Sequence, residues 1–155
     1  MKRKWLVSLI WVVLLLTGSA HAQMVKTVKW SYAAKRVSAT EAVLYLKAVV
    51  AEGWHIYSVN QKPGGPLKTS FTFAGSPDYV LAGGVIEPKP TSKYEETFGI
   101  QVDYFENEVV FKQKVKILRQ AQDDVILIKG KIGFMTCDEK QCTPPLEVEF
   151  SIPVK

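Results

Sequence analysis

With 155 residues, the chain is long enough for a buried core, and one domain is expected rather than two. Its formal charge of +5 comes from 20 Lys and Arg against 15 Asp and Glu; three of the positives are Lys2, Arg3 and Lys4, and without them 17 face 15. The remaining charges alternate in sign, as in Glu95-Glu96 or Asp123-Asp124 followed by Lys129 and Lys131, which excludes the clustered basic stripe of a nucleic-acid binder.

In chain order, the basic start leads into an apolar run from Trp5 to Leu16 and then Ala20-His21-Ala22, the small-x-small pattern that signal peptidase reads. Residues 1–22 are therefore expected to be a signal peptide. The run is about a dozen residues against the roughly 20 that a spanning helix needs, which makes an uncleaved anchor the lesser reading. No cysteine follows the cleavage site to take a lipid. The mature domain, residues 23–155, has 133 of the 155 residues and is expected in the periplasm.

Successive side chains on a strand point to opposite faces, so alternation of apolar and polar residues marks half-buried strands. Candidates are Val28 to Tyr32, Val43 to Val50, His55 to Ser58, Thr69 to Phe73 and Tyr79 to Ile86. They are followed by the row Phe111, Val115, Ile117 and the row Ile126, Ile128, Ile132, Phe134, with Gly130 where a bulge would fit. The last strand sets Leu146, Val148, Phe150, Ile152 and Val154 opposite Glu147, Glu149 and Ser151. Ser38-Ala39-Thr40-Glu41 has the spacing of a capping box, but β-branched residues follow and it reads as a loop. Turn signals stand at Glu52-Gly53, Pro63-Gly64-Gly65-Pro66, Gly75-Ser76-Pro77, Pro88 to Pro90 and Glu106-Asn107. No segment sustains a helical period. Short strands punctuated in this way predict an all-β antiparallel sandwich or barrel.

The two cysteines stand close together in Cys137-Asp138-Glu139-Lys140-Gln141-Cys142, at the tip between two well-patterned strands of an exported chain, where a disulfide can form and persist. A crosslink closing so short a loop stabilises by only about 2 kcal/mol, against about 4.7 for one closing a hundred residues. Such a bond is a weak staple and, at a tip, an accessible one. Spacing alone leaves both a structural and a redox-active disulfide open.

Gly53-Trp54-His55-Ile56-Tyr57-Ser58, Gly65-Pro66 before the strand Thr69 to Phe73, Glu95-Glu96-Thr97-Phe98-Gly99, and Phe134-Met135-Thr136-Cys137 through Cys142-Thr143-Pro144-Pro145 together resemble the amino-terminal periplasmic domain of the thiol:disulfide interchange protein DsbD. The resemblance spans nearly the whole mature chain. It implies an immunoglobulin-like β-sandwich with a redox-active pair, Cys137 and Cys142, the second of which forms the mixed disulfide with the partner. It also implies a cap loop whose aromatic shields the sulfurs. Phe98 matches that aromatic, with Thr97 the alternative in an alignment shifted by one residue, and Glu96 lies beside it. His55 and Tyr57 match the strand residues that flank the pair. The spacer of four residues is one shorter than in the best-known member, and His55 replaces an aromatic hydroxyl.

Full-length members continue into a membrane domain and a thioredoxin-like domain, whereas this chain ends at Lys155 and is expected to be a stand-alone version. The expected partners are thus separate: a membrane electron conduit and thioredoxin-fold periplasmic proteins, in electron transfer of the kind that serves cytochrome c biogenesis. Asp138 and Glu139 should disfavour a thiolate at Cys137 while Lys140 opposes them, so exchange is expected to depend on a docked partner.

Other chemistry is less well supported. Trp30 and Trp54 read as core rather than as a carbohydrate platform. His55, Met135 and the cysteines could gather copper, which favours soft ligands, but His21 departs with the signal peptide and one histidine remains. Glu95-Glu96 read as solvated loop acids. No metal or cofactor is expected, and the protein is expected to be a monomer. The alternative from another class is a non-catalytic secreted binding or assembly module with a structural disulfide.

Overall fold

The computed structural model describes residues 26–118 and 125–155. The expected signal peptide and Asp123-Asp124 lie outside these residues. Among the described residues the alternating segments form eleven strands: β1 (Val28–Arg36), β2 (Glu41–Val50), β3 (His55–Tyr57), β4 (Ser70–Phe73), β5 (Tyr79–Leu81), β6 (Thr91–Glu95), β7 (Ile100–Phe105), β8 (Glu108–Ile117), β9 (Ile126–Phe134), β10 (Thr136–Cys137) and β11 (Leu146–Val154). Every ladder is antiparallel, and no helix occurs among the described residues.

One layer of the sandwich is the sheet β1-β2-β8-β5. The other consists of two smaller sheets, β11-β9-β4 and β10-β3-β7-β6, joined through Met135, the single residue between β9 and β10. Inward rows from both layers make the core: Leu44, Leu46 and Phe111 from one side, Ile128, Ile132 and Ile152 from the other, all buried. Aromatic rings tie the layers. Trp30 meets Phe71 and Phe134 edge-on at 6.1 and 5.5 Å between centroids, and Phe71 lies 5.1 Å from Phe111. Trp54 packs on the same core. Gln113 is the one polar residue in the inward row of β8, and its amide nitrogen donates to the carbonyls of Gly83 and Lys114.

The structure corrects four expectations. Gly130 makes no bulge: β9 and β11 pair without interruption from Ile126↔Val154 to Phe134↔Leu146. The glycine is needed for space, since a Cβ there would stand 2.3 Å from the Thr72 carbonyl oxygen and 2.4 Å from the Phe150 ring. The segment Tyr79 to Ile86 is a strand only to Leu81, because Gly83 takes a positive φ of 77° and turns the chain before an isolated bridge, Ile86↔Lys112. β6 and β7 were not expected; β6 is almost wholly exposed and has no alternation to read. The cysteines do not sit on a simple hairpin tip, because the chain leaves β9 at Met135 and pairs with β3 in another sheet before it returns to β11.

Gly130→Ala is expected to destabilise the fold by about 1–3 kcal/mol through overpacking. Gly84→Ala, where a Cβ meets nothing within 4 Å, is the control and should be close to neutral. Denaturant midpoints of the two variants check this.

Candidate functional site

β10 is only two residues long, but both are placed by pairing: Thr136 opposite Ile56 and Cys137 opposite His55. After a tight turn the chain comes back antiparallel, with Asp138 N–H donating to the Gln141 carbonyl and Thr143 N–H to the Thr136 carbonyl. Those bonds flank Cys137 and Cys142, which form the non-hydrogen-bonded pair between them, the position where facing side chains come closest. The two cysteines are joined as a disulfide with Cα atoms 4.0 Å apart.

No residue of the turn takes a positive φ, so the primed turn usual in two-residue hairpins is absent. The Asp138 carboxylate substitutes for it and accepts from the amides of Lys140 and Gln141, both at 2.7 Å. These bonds favour the ionised carboxylate and hold its pKa below the usual range. Behind the turn, buried Thr27 and Thr136 hydroxyls meet at 2.7 Å, and Thr143 Oγ1 accepts from Thr136 N–H. The start of the described chain is thereby fastened to the disulfide loop.

The two sulfurs are unequal. Cys137 is 3 % exposed and shares an apolar cluster with Tyr57 and Val102, against which Ile100, Tyr104 and Met135 pack. Cys142 is exposed. His55, across the ladder from Cys137, is half-buried; its Nε2 lies 3.0 Å from the Tyr57 hydroxyl, and its ring centroid lies 4.9 Å from that of Tyr104. Burial lowers the His55 pKa; the charges of Glu106, Glu95 and Asp138 act against this and Lys93 adds to it. Burial, assisted by Glu95 and Tyr104, pushes the Tyr57 phenol up to about 12, so it stays a neutral hydroxyl.

The sequence profile described as "Thiol:disulfide interchange protein DsbD, N-terminal" matches residues 22–153 of this chain. The chain belongs to the DsbD N-terminal domain family. The reduced form of the DsbD N-terminal domain of Neisseria meningitidis is similar at 19 % identity and a TM-score of 0.55, over 83 % of this chain and 86 % of that one. The N-terminal periplasmic domain of ScsB from Proteus mirabilis matches at 19 % identity and a TM-score of 0.56, over 83 % of this chain and 46 % of that one. No curated protein matches. These similarities show the fold, an immunoglobulin-like β-sandwich.

In this DsbD N-terminal domain the Glu95-to-Gly99 element is the turn of the β6–β7 hairpin: the amides of Phe98 and Gly99 donate to the Glu95 carbonyl, and Gly99 supplies the positive φ of 68° that the turn requires. Gly65 packs at its base, where a Cβ would stand 2.7 Å from Ile100 Cδ1. Phe98 is 39 % exposed on this turn, and Glu96 is exposed beside it. Glu95, which pairs with Lys93 at 3.1 Å, carries the charge that acts on His55 and Tyr57. Sequence reasoning missed Glu95 in this role, together with Tyr104, Val102, the threonine hydroxyls and the turn-forming role of Asp138. Only Asp138 left a local signal, as an acceptor two and three residues before the amides it binds.

Since the folded pKa of Asp138 is depressed, the turn's bonds are complete above the ordinary carboxylate value and are lost as the pH falls through the folded value. The amide shifts of Lys140 and Gln141 should therefore titrate together, with a midpoint below the usual Asp range, and Asp138→Ala should remove that titration and speed exchange of both amides. NMR pH titration reads both effects. A midpoint at or above the ordinary value would contradict the turn geometry.

Proposed function

We propose that the chain is a periplasmic dithiol carrier that passes reducing equivalents through Cys137 and Cys142 between a membrane or thioredoxin-fold donor and oxidised thioredoxin-fold partners. The observation that carries this reading is the inequality of the two bonded sulfurs in a DsbD N-terminal domain, one exposed and one buried where β10 pairs with β3. In the reduced protein the Cys142 thiolate attacks a partner disulfide, forms the mixed disulfide and releases one partner thiolate. The Cys137 thiolate then attacks Cys142 Sγ, the intramolecular disulfide closes, and the second partner thiolate leaves. Two electrons and two protons pass to the partner, and a donor reverses the sequence. No metal or cofactor enters this cycle. The periplasmic location rests on the signal-peptide pattern and on the family.

Changing Cys137 to Ser should trap a discrete, reductant-sensitive adduct with a thioredoxin-fold protein, while Cys142→Ser should trap none. Both variants should remain folded, since the crosslink contributes only about 2 kcal/mol. A redox titration read by alkylation mass shift supplies the second arm: a carrier switches at glutathione-like potentials, whereas a staple stays oxidised to below about −300 mV. A partner trapped through Cys137 would reverse the assignment, and a pair that stays oxidised would favour the structural module.

Phe98 is proposed as the shield of the sulfurs. Its hairpin carries Lys93 and Glu95, whose charges act on His55, while Glu139 of the disulfide loop acts on Lys93. Phe98→Ala should leave the fold intact and speed oxidation and glutathionylation of the reduced pair. Unchanged rates in a stopped-flow thiol assay would move the role to Tyr94, which is 58 % exposed on β6.

A further inference from the structure

The sandwich gapes at the end that carries the disulfide. β1 and β11 are edge strands of opposite layers and lie next to each other. At the far end of β11 the inward residues Phe150, Ile152 and Val154 are buried, but Leu146 and Val148, nearer the cysteines, are only half-buried. The facing row on β1, Val28, Trp30 and Tyr32, is half-buried throughout. The gap is a groove of about 940 Å³ with mainly apolar walls, floored by Trp30, Trp54 and Phe134, and Cys142 is one of its lining residues.

Its rim is charged on one side. Lys26 and Lys29 line it, and neither is ion-paired among the described residues. The facing acid, Glu147, is already held by Lys131 at 2.8 Å. The indole N–H of Trp30 is buried with no acceptor among the described residues. The acids of the disulfide loop, Asp138 and Glu139, act instead on His55 and Lys93 and do not line the groove.

We propose that this groove is the docking site for the partner polypeptide: an extended segment beside the partner's exchanging cysteine, with apolar side chains for the tryptophan floor and a carboxylate for Lys26 and Lys29. The inference rests on the exchange reading above and names the chemistry of its partner. Three observations select a peptide. The groove leads to Cys142, whose exchange chemistry requires a sulfur on the partner. Its lining follows the chain from Lys26 to Tyr32 on β1, a run that an extended chain of about six residues, roughly 20 Å, would parallel. Edge strands also offer backbone groups for strand-like pairing. A small disulfide would leave most of the apolar wall uncovered.

The test uses the reduced full mature chain and three probes: an octapeptide with Phe, Leu and two Asp beside its cysteine, an octapeptide with Ser and two Lys in those places, and 2,2′-dithiodipyridine. Each peptide cysteine carries a 2-thiopyridyl group. Cys142 Sγ bonds to the peptide sulfur, the peptide–pyridyl S–S bond breaks, and the electron pair leaves on 2-thiopyridone, whose absorbance gives the rate. The acidic apolar peptide should react about tenfold faster than the basic one. In Lys26→Glu/Lys29→Glu, and separately in Val148→Ser, that preference should fall to about twofold or less, with the rate toward 2,2′-dithiodipyridine unchanged. Equal rates for the two peptides, or a preference that survives both variants, would overturn the groove as docking site while leaving exchange standing. No reaction with any probe would overturn the exchange reading itself.

Discussion

Two residues of strand pairing hold the site together. Thr136 opposite Ile56 and Cys137 opposite His55 anchor the end of a strand that began in another sheet, and everything after Cys137 hangs from that anchor. The pairing turns Cys137 inward, onto Tyr57 and Val102, and puts His55 across from it. Because the return strand is antiparallel, Cys142 then falls opposite Cys137 on the outer strand of this small ladder, where solvent reaches it. One register therefore decides both that the disulfide forms and which sulfur solvent reaches.

The surroundings of the pair divide by charge. On the β6–β7 side stand Glu95, Lys93, Glu106 and the loop acids, gathered around a histidine that burial keeps from protonating easily. On the β1–β11 side stand Lys26 and Lys29 over an apolar floor. Under the proposed docking, a partner at Cys142 would have Lys26 and Lys29 on one side and the acids around His55 on the other, which would favour one orientation over its reverse. Discrimination of this kind does not need an unusually reactive thiol. It suits a carrier whose exchange is set by docking rather than by the nucleophile alone.

Most of the layered fold was legible because its core strands alternate cleanly. β2 and β8 bury every second residue, and β9 and β11 do so except at Gly130, Leu146 and Val148, which are half-buried; that period survives in the sequence. β6 left no trace because it buries almost nothing. β7 was hidden because it serves two clusters, Val102 facing the cysteine and Phe105 the main core, which breaks a simple two-residue period. The step from β9 to β10 was invisible for a similar reason: Met135 and Thr136 carry no turn chemistry, and the change of sheet is imposed by β3, a long-range partner. Gly130 was noticed for the wrong reason, since a missing side chain reads the same whether it frees the backbone or makes room for Phe150. Within the site, the cysteines, His55 and Tyr57 came from motif and resemblance. The groove did not, because it is a property of where two edge strands fail to close.

The disulfide and the fold are nearly independent, and this bears on reversibility. The bond closes a loop so short that breaking it releases only about 2 kcal/mol of chain entropy. The loop also has supports of its own, in the Asp138 carboxylate on two amides, the threonine hydroxyls behind it and the ladder to β3. None of these contacts uses sulfur. On these supports the loop should keep its conformation when the bond opens, with Cys137 beside Cys142. In the proposed exchange, a resolving thiol held within reach would make the second step intramolecular, with a high effective concentration at little entropic cost.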